Sequence, residues 1–310
     1  MKRRIGISGV IVALVVAACG QSAAPGGGGE AKGKPKVVAT IGMIADVAKR
    51  IAGEHADVEG LMASGVDPHL YKASEGDVRK LDEAQLVLYN GLNLEGKMGD
   101  IFVKMSRRRQ VVAVSEEIPQ DQLREPPEFA GHYDPHIWFD VSLWEKSLTP
   151  IERELSALVP GQAAVFKANA EKLRAELIAL DSWVLEQIAT IPPEQRVLIT
   201  AHDAFGYFGR RYGMEVLGLQ GISTVSEAGL KDVERVVDTI VSRKIKAIFV
   251  ESSVPRKSIE AVQAACRAKG HEVAIGGQLY SDAMGEAGTA EGTYIGMVRA
   301  NVNTIVNALR

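Results

Sequence analysis

From Val37 onward, short apolar, β-rich runs alternate with longer stretches whose apolar residues recur every three or four positions. "KVVAT" leads into a loop at Gly42 and then into Ile44, Val47, Ala48 and Ile51, which predicts strand, loop and helix. "DVEGLM", "AQLVLYNG" and "RQVVAVSEE" predict three further strands, with "EGDVRKLDEA" a helix between the first two. The same grammar restarts at Arg196. "RVLITAHDAFGYFGRRYG" is strand, loop and helix, "MEVLGLQG" a strand, "GLKDVERVVDTIVSRK" a helix and "IKAIFVESS" a strand. "SIEAVQAACRAKG" is then a helix, "HEVAIGG" a strand and "TYIGMVRANVNTIVNAL" a terminal helix. Such alternation implies parallel sheets with crossover helices, so the expected class is α/β, with two lobes that each carry a mainly parallel sheet flanked by helices. The halves read as copies of one unit, not as a short-period array.

Between them, residues 161–190 contain no Pro, and no Gly after the first position, and are bounded by Pro160 and Pro192-Pro193. Leu173, Leu177, Leu180, Val184 and Ile188 form one apolar stripe, with Glu171, Arg174, Glu176, Asp181 and Glu186 largely off it. At about 1.5 Å per residue this helix spans ~45 Å, more than a crossover within one lobe needs. It reads as a rigid strut joining the lobes; a long surface helix within a single domain is the competing interpretation. The expected plan is an N-terminal lobe over 37–160, a linking helix over 161–191 and a C-terminal lobe over 192–310.

The residues ahead of the lobes have a different character. Lys2-Arg3-Arg4 followed by an apolar run from Ile5 to Ala18 reads as a signal peptide, residues 1–18. Val16-Ala17-Ala18-Cys19 resembles the lipobox of bacterial lipoproteins, which implies cleavage before Cys19 and a diacylglyceryl group on its sulfur. An ordinary signal peptide with an incidental cysteine is the alternative. Gln21 to Lys36 is rich in Ser, Ala, Gly, Pro and Lys, including Gly26 to Gly29, and reads as a flexible tether, residues 19–36. The expected location is outside the cytoplasm, held to the cell membrane by lipid and facing the periplasm or the cell exterior.

Composition then narrows the chemistry. Cys266 is the only other cysteine and sits in a helical pattern where a small buried thiol fits, so a disulfide framework and Cys-based metal motifs are excluded. Any metal site must use His and carboxylates. A net charge of −3 argues against a nucleic-acid partner. Glycine-rich nucleotide loops and nucleophile elbows are missing as well.

His69 in "VDPHLY", His136 in "YDPHIWFD", His202 in "TAHDAF" and Asp282 in "YSDAMG" follow predicted strands, the end of an α/β sheet at which ligands bind. Asp-Pro-His occurs twice, at 67–69 and 134–136, and each proline restricts the backbone that aims the imidazole. Asp67 and Asp134 are candidates to orient those rings by hydrogen bonds. Taken locally, His136 is either a satisfied core histidine or a ligand.

"VDPHLY", "YDPHIWFD", "TAHDAFGYF", "GISTVSEAGLKDV", "AIFVESS" and "GGQLYSDAMG", in that order, resemble the successive signatures of one family. These are the metal-binding lipoproteins (solute-binding proteins, family 9) of bacterial ATP-binding-cassette importers for manganese and zinc. The likeness runs from about Val37 to the C-terminus. It implies two α/β lobes joined by a long helix and a metal between them, with His69 and His136 as ligands from the first lobe and His202 and Asp282 from the second. It also implies an ABC permease and its ATPase as partners, lipid through Cys19, and a monomer. Three imidazoles and a carboxylate suit Zn²⁺, Mn²⁺ or Fe²⁺ better than Ca²⁺ or Mg²⁺. Four donors drawn from both lobes leave little room for a reactive water and let binding favour the closed arrangement.

Two cues on metal choice oppose each other. Zinc-specialised relatives often carry a His- and acid-rich loop before the second ligand motif, whereas "PQDQLREPPEFAGHYDPH" has only His132 extra. Manganese-tuned relatives often have glutamate where this chain has His202, and a third imidazole favours zinc. Mn²⁺ and Zn²⁺ both stay open. Glu251 reads as a supporting carboxylate or as a helix N-terminal acid, Trp138 as packing, and His55, His132 and His271 as surface. "SRRRQ" at 106–110 reads as a solvated turn. The competing functions are a metal-dependent hydrolase, with Glu251 as general base, and a surface adhesin or interaction lipoprotein.

Overall fold

The fold is given by a computed structural model in which residues 33–310 are described. The expected signal peptide, Cys19 and most of the tether lie outside the described residues. The tether ends sooner than its composition implied, because Lys36 already begins strand β1 (Lys36–Ala39), and its backbone N–H is bonded to Gln85 Oε1 at 2.6 Å.

The first half follows as α1 (Gly42–Ala52), β2 (Asp57–Gly60), α2 (Glu75–Glu83), β3 (Leu86–Tyr89), α3 (Gly99–Met105), β4 (Gln110–Ala113), α4 (Val141–Trp144) and α5 (Leu148–Leu158). Its four strands form one parallel sheet in the order β2-β1-β3-β4, with Val37 opposite both Val58 and Leu86. At α2 and α4 the helix start is marked by side chains that satisfy orphan N–H groups. Ser74 and Asp77 form a capping box on α2, and Asp140 accepts from the N–H groups of Ser142 and Leu143 on α4.

The linking helix α6 runs Ala163–Ala189, 27 residues, so it is shorter than the expected 161–191 at both ends. Pro160–Gln162 forms a separate 3₁₀ turn, because proline fixes its own backbone and cannot extend the helix backwards. The apolar stripe is buried as expected against α1, α4 and α5. Asp181 is a correction: it is buried, not off the stripe. Arg211 pairs with both of its oxygens, and Tyr212 donates to Oδ1 at 2.9 Å.

The second half contains β5 (Val197–His202), α7 (Gly206–Tyr212), β6 (Glu215–Gln220), α8 (Leu230–Arg243), β7 (Ala247–Glu251), α9 (Lys257–Ala268), β8 (Ala274–Leu279) and α10 (Tyr294–Leu309). β5 pairs with β6 and β7 with β8, both parallel, and β5 lies alongside β7 without sharing a ladder. The spatial succession β6-β5-β7-β8 thus repeats the order of the first sheet, as the duplicated sequence grammar implied. β8 begins three residues later than "HEVAIGG" indicated and runs through Gly276 and Gly277. Gly277 has φ +145, and a Cβ on Gly276 would press on Phe249 and Ala308, so these glycines let α10 lie against the sheet.

Two apolar clusters hold this together. The smaller one belongs to the second half and includes Ile199, Val236, Ile248, Ile259 and Cys266. The larger spans both halves, from Val37 and Trp138 to Phe205, Leu279 and Met297, and helix α10 packs on α6 and α1. The halves are therefore joined by shared core as well as by α6. Burying each large side chain contributes roughly 1.5–3 kcal/mol. None of the described helices is long and apolar enough to cross a membrane.

Candidate metal centre

Each candidate donor sits where a strand or an over-determined loop delivers it. His202 is the last residue of β5, a wholly buried strand, and not the residue after it. Asp282 follows β8 closely. His69 lies in the irregular segment after β2, and His136 ends a long excursion after β4 and opens the 3₁₀ turn Ile137–Phe139. Despite these different routes, ligand atoms of all four lie within 4.8 Å of one another.

The Nε2 atoms of His69 and His136 face each other at 3.3 Å. Asp282 completes the group, with Oδ1 at 3.4 Å from His136 Nε2 and Oδ2 at 3.2 Å from His202 Nε2 and 3.7 Å from His69 Nε2. The side chains are shut off from solvent, with His69 the most exposed at 4%. His202 Nε2 and both Asp282 oxygens make no hydrogen bond. With the imidazoles neutral, the state in which they can ligate a cation, such atoms left unpaired in the interior cost about 1–3 kcal/mol each, more where charge is involved. A bound divalent cation removes that cost, so the donor set fits a metal, with nitrogen in excess of oxygen as Zn²⁺ and the later Mn²⁺-to-Zn²⁺ series accept.

Behind the donors stand the groups that aim them. Asp134 Oδ1 accepts from the His136 backbone N–H at 3.0 Å and from Nδ1 at 2.7 Å, while Oδ2 pairs with Arg124. Glu251, the last residue of β7, does the same for His202: Oε1 accepts from the backbone N–H at 2.8 Å and Oε2 from Nδ1 at 2.5 Å. Protonation at Nδ1 leaves the Nε2 lone pair pointing at the centre. Asp67 Oδ1 accepts from the His69 backbone N–H at 2.8 Å, and its Oδ2 accepts from Thr224 Oγ at 2.6 Å. Asp67 therefore aims the His69 backbone, whereas Asp134 and Glu251 hold both backbone and ring.

These contacts set the protonation of the metal-free centre. Burial opposes charge on His136, but Asp134 and Asp282 overcome it and push its pKa up to about 9. Burial likewise opposes charge on His202, and Glu251 and Asp282 hold it well above the ordinary imidazole range. For His69 burial wins: Asp282, 3.7 Å from its Nε2, favours the charged ring but is outweighed, and the pKa is pushed down to about 3. Asp282 sits well below the carboxylate range because the neighbouring imidazoles outweigh its burial.

Sequence reasoning missed part of the support. Arg124 reaches Asp134 across a position where Gly206 has no side chain, and a Cβ there would collide with the guanidinium. Tyr207 donates to the Asp134 carbonyl at 2.9 Å, and Asn90 to the Pro135 carbonyl at 2.9 Å. Buried Glu95 bridges Thr40 and the Asn90 N–H, tying the ends of β1 and β3 to this segment. No periodicity marks these residues; only the ordered motifs around them hint at their place. Trp138 packs as expected, its ring beside His136 and its N–H on the Ser281 carbonyl at 3.0 Å. His132 is exposed, whereas His55 and His271 are half-buried, the first against Phe166 and the second bonded to the Ile245 carbonyl at 2.9 Å. The 106–109 turn is exposed.

Parallel sheets in two halves, one long joining helix and a buried group of three imidazoles and a carboxylate together make a closed candidate site for one divalent cation. The chain belongs to the family described as "Zinc-uptake complex component A periplasmic", whose profile matches residues 37–308. It is 53% identical over 279 residues to the zinc-binding protein TroA of Treponema pallidum, covering 90% of each chain. It is 48% identical to the manganese-binding lipoprotein MntA of Bacillus subtilis over 310 residues, the full length of both. The solved structure of the periplasmic zinc-binding protein TroA from Treponema pallidum superposes with a TM-score of 0.87 at 53% identity, covering 89% of this chain and 99% of that one.

Proposed function

We propose that this protein captures one Mn²⁺ or Zn²⁺ ion outside the cytoplasm on His69, His136, His202 and Asp282, and delivers it to an ABC permease powered by its ATPase. The single observation that carries this reading is the buried convergence of three imidazoles and a carboxylate whose inward atoms lack any other partner. Asp67, Asp134 and Glu251 aim the donors. The N-terminal half, over 37–160, supplies His69 and His136, and the C-terminal half, over 192–310, supplies His202 and Asp282. A metal bridging them stabilises the loaded arrangement by contacts that the empty one lacks, and that difference is what the permease reads. Cys19 carries the lipid that holds a monomeric receptor at the membrane. In support of the importer reading, relatives of this chain are named as manganese-binding lipoproteins of ABC transporters.

The hydrolase reading is disfavoured by the position of Glu251. Both of its oxygens are taken by His202, so it is not free to act as a general base. The test is calorimetric titration of Mn²⁺ and Zn²⁺, separately, into chelator-stripped protein beginning at Gly20, alongside His202→Ala. One equivalent is expected to bind, and binding is expected to be lost or much weakened in the variant. Failure of both ions to bind overturns the proposal.

A further inference from the structure

The four donors are not held equally. Asp134 to Val141, the segment carrying His136, is buried throughout. It is bonded to the second half by Trp138 on Ser281, by Tyr207 on Asp134 and by Tyr294, whose hydroxyl donates to the Trp138 carbonyl at 2.7 Å. His202 ends a core strand, and Asp282 lies in a turn pinned by Ser252, which donates to the Ala283 carbonyl at 3.2 Å. His136, His202 and Asp282 thus form a preassembled block even though they come from different halves.

His69 is different. Its segment, residues 61–74, has no regular structure, and Ala63, Gly65, Leu70 and Lys72 are exposed. Apart from the donor group itself, two hydrogen bonds reach it from the second half among the described residues: Ser64 Oγ to the Met284 carbonyl at 2.9 Å, and Thr224 Oγ to Asp67 Oδ2 at 2.6 Å. The second bond sits one step from the ligand. The carboxylate that receives it also receives the His69 backbone N–H. Tyr71, bonded to Asp77 on α2 at 2.8 Å, anchors the far end to the first half, so the stretch between Ser64 and Tyr71 is a short strap held by hydrogen bonds at its ends and by the packing of Val66 between them.

We infer that Thr224 is a positioning residue for metal capture: its hydroxyl, through Asp67, restrains the strap that carries His69. This rests on the proposed metal-binding role and adds a division of labour within it. The preassembled block determines whether the site binds metal at all. Thr224 and His69 determine how fast the metal leaves. The argument is one of differential restraint. A hydrogen bond to a charged acceptor contributes more than a neutral one, yet it is a single contact that breaks without disturbing the core.

The test is the dissociation rate of Zn²⁺ and of Mn²⁺ into excess chelator, by stopped flow, for the wild type, Thr224→Val, Thr224→Ser and His69→Ala. Thr224→Val keeps the shape and removes the donor. It is expected to bind one equivalent and to release it about tenfold faster, the size of one such bond. Thr224→Ser restores the hydroxyl and is expected to return the rate to within about twofold of the wild type, which mere packing at this position would not reproduce. In the His69→Ala background, Thr224→Val should add little, because the strap then carries no ligand. Wild-type binding with Thr224→Val release unchanged, or accelerated to the same extent with and without His69, overturns the latch while leaving metal binding intact. Absence of wild-type binding instead overturns the reading on which the latch rests.

Discussion

Replacing Glu251 by glutamine changes one atom and makes a demanding prediction. Glu251 accepts twice from His202, at the backbone N–H (2.8 Å) and at Nδ1 (2.5 Å), and both groups are fully buried. Glutamine retains the shape, but it has one accepting oxygen and one donating NH₂. If the oxygen stays on the backbone N–H, the NH₂ faces Nδ1, and the ring must carry its proton on Nε2, the atom that points at Asp282 across 3.2 Å. That tautomer has no lone pair for a metal. If the amide flips, its NH₂ opposes the backbone N–H and a buried donor is left unsatisfied. Either resolution costs about 1–3 kcal/mol, so metal affinity should fall roughly 10- to 100-fold. Competition against a chelator of known affinity reads this directly for Zn²⁺ and Mn²⁺. Affinity within about twofold of the wild type would refute the view that Glu251 sets the His202 tautomer.

Metal binding should strengthen as pH rises through neutrality. His136, with its pKa pushed up to about 9, and His202, held higher than an ordinary imidazole, both carry an extra proton in the metal-free protein, and that proton must leave. Calorimetry in buffers of different ionisation enthalpy should show proton release, and an affinity that is flat between about pH 6 and 8 would count against it. Gly206→Ala places a methyl where the Arg124 guanidinium sits, so it should weaken metal affinity through Asp134 and His136, measured against the melting temperature of the same metal-free variant. Asp181→Ala removes the buried partner of Arg211 and Tyr212 and should lower metal-free stability by about 1–3 kcal/mol in urea titration, discounted because Arg211 is partly exposed. Loading with Zn²⁺ at about a hundred times its dissociation constant should stabilise the fold by about 2.7 kcal/mol, an increment that EDTA reverses.

Much of this was legible before the structure, for definite reasons. Strands such as β5 and β7 are continuous apolar runs because parallel strands are covered on both faces. The stripe along α6 is regular because one side of that helix meets core over its whole length. The four candidate donors stood out in the sequence because two Asp-Pro-His copies and two strand-end residues are rare chemistry placed at the ligand-binding end of a sheet. What escaped was long-range pairing. Asp181 looked like a solvent-facing acid because its partners, Arg211 and Tyr212, lie 30 and 31 residues away. Arg124, Glu95 and Thr224 act only through carboxylates or loops that the fold brings to them, and local pattern carries no record of that. Helices α3, α4 and α5 were also missed, in a stretch where short turns interrupt the period. The expected boundaries at 160 and 192 follow the sequence grammar, yet the larger core runs through both, so packing unites what the repeat separates.

The most direct test of the central claim is anomalous diffraction at the zinc edge from crystals of stripped protein loaded with one equivalent of Zn²⁺. The account predicts a single strong peak at about 2.0–2.2 Å from Nε2 of His69, His136 and His202 and from a carboxylate oxygen of Asp282. A peak elsewhere, at exposed His132 for instance, with the four-residue centre empty, would contradict it.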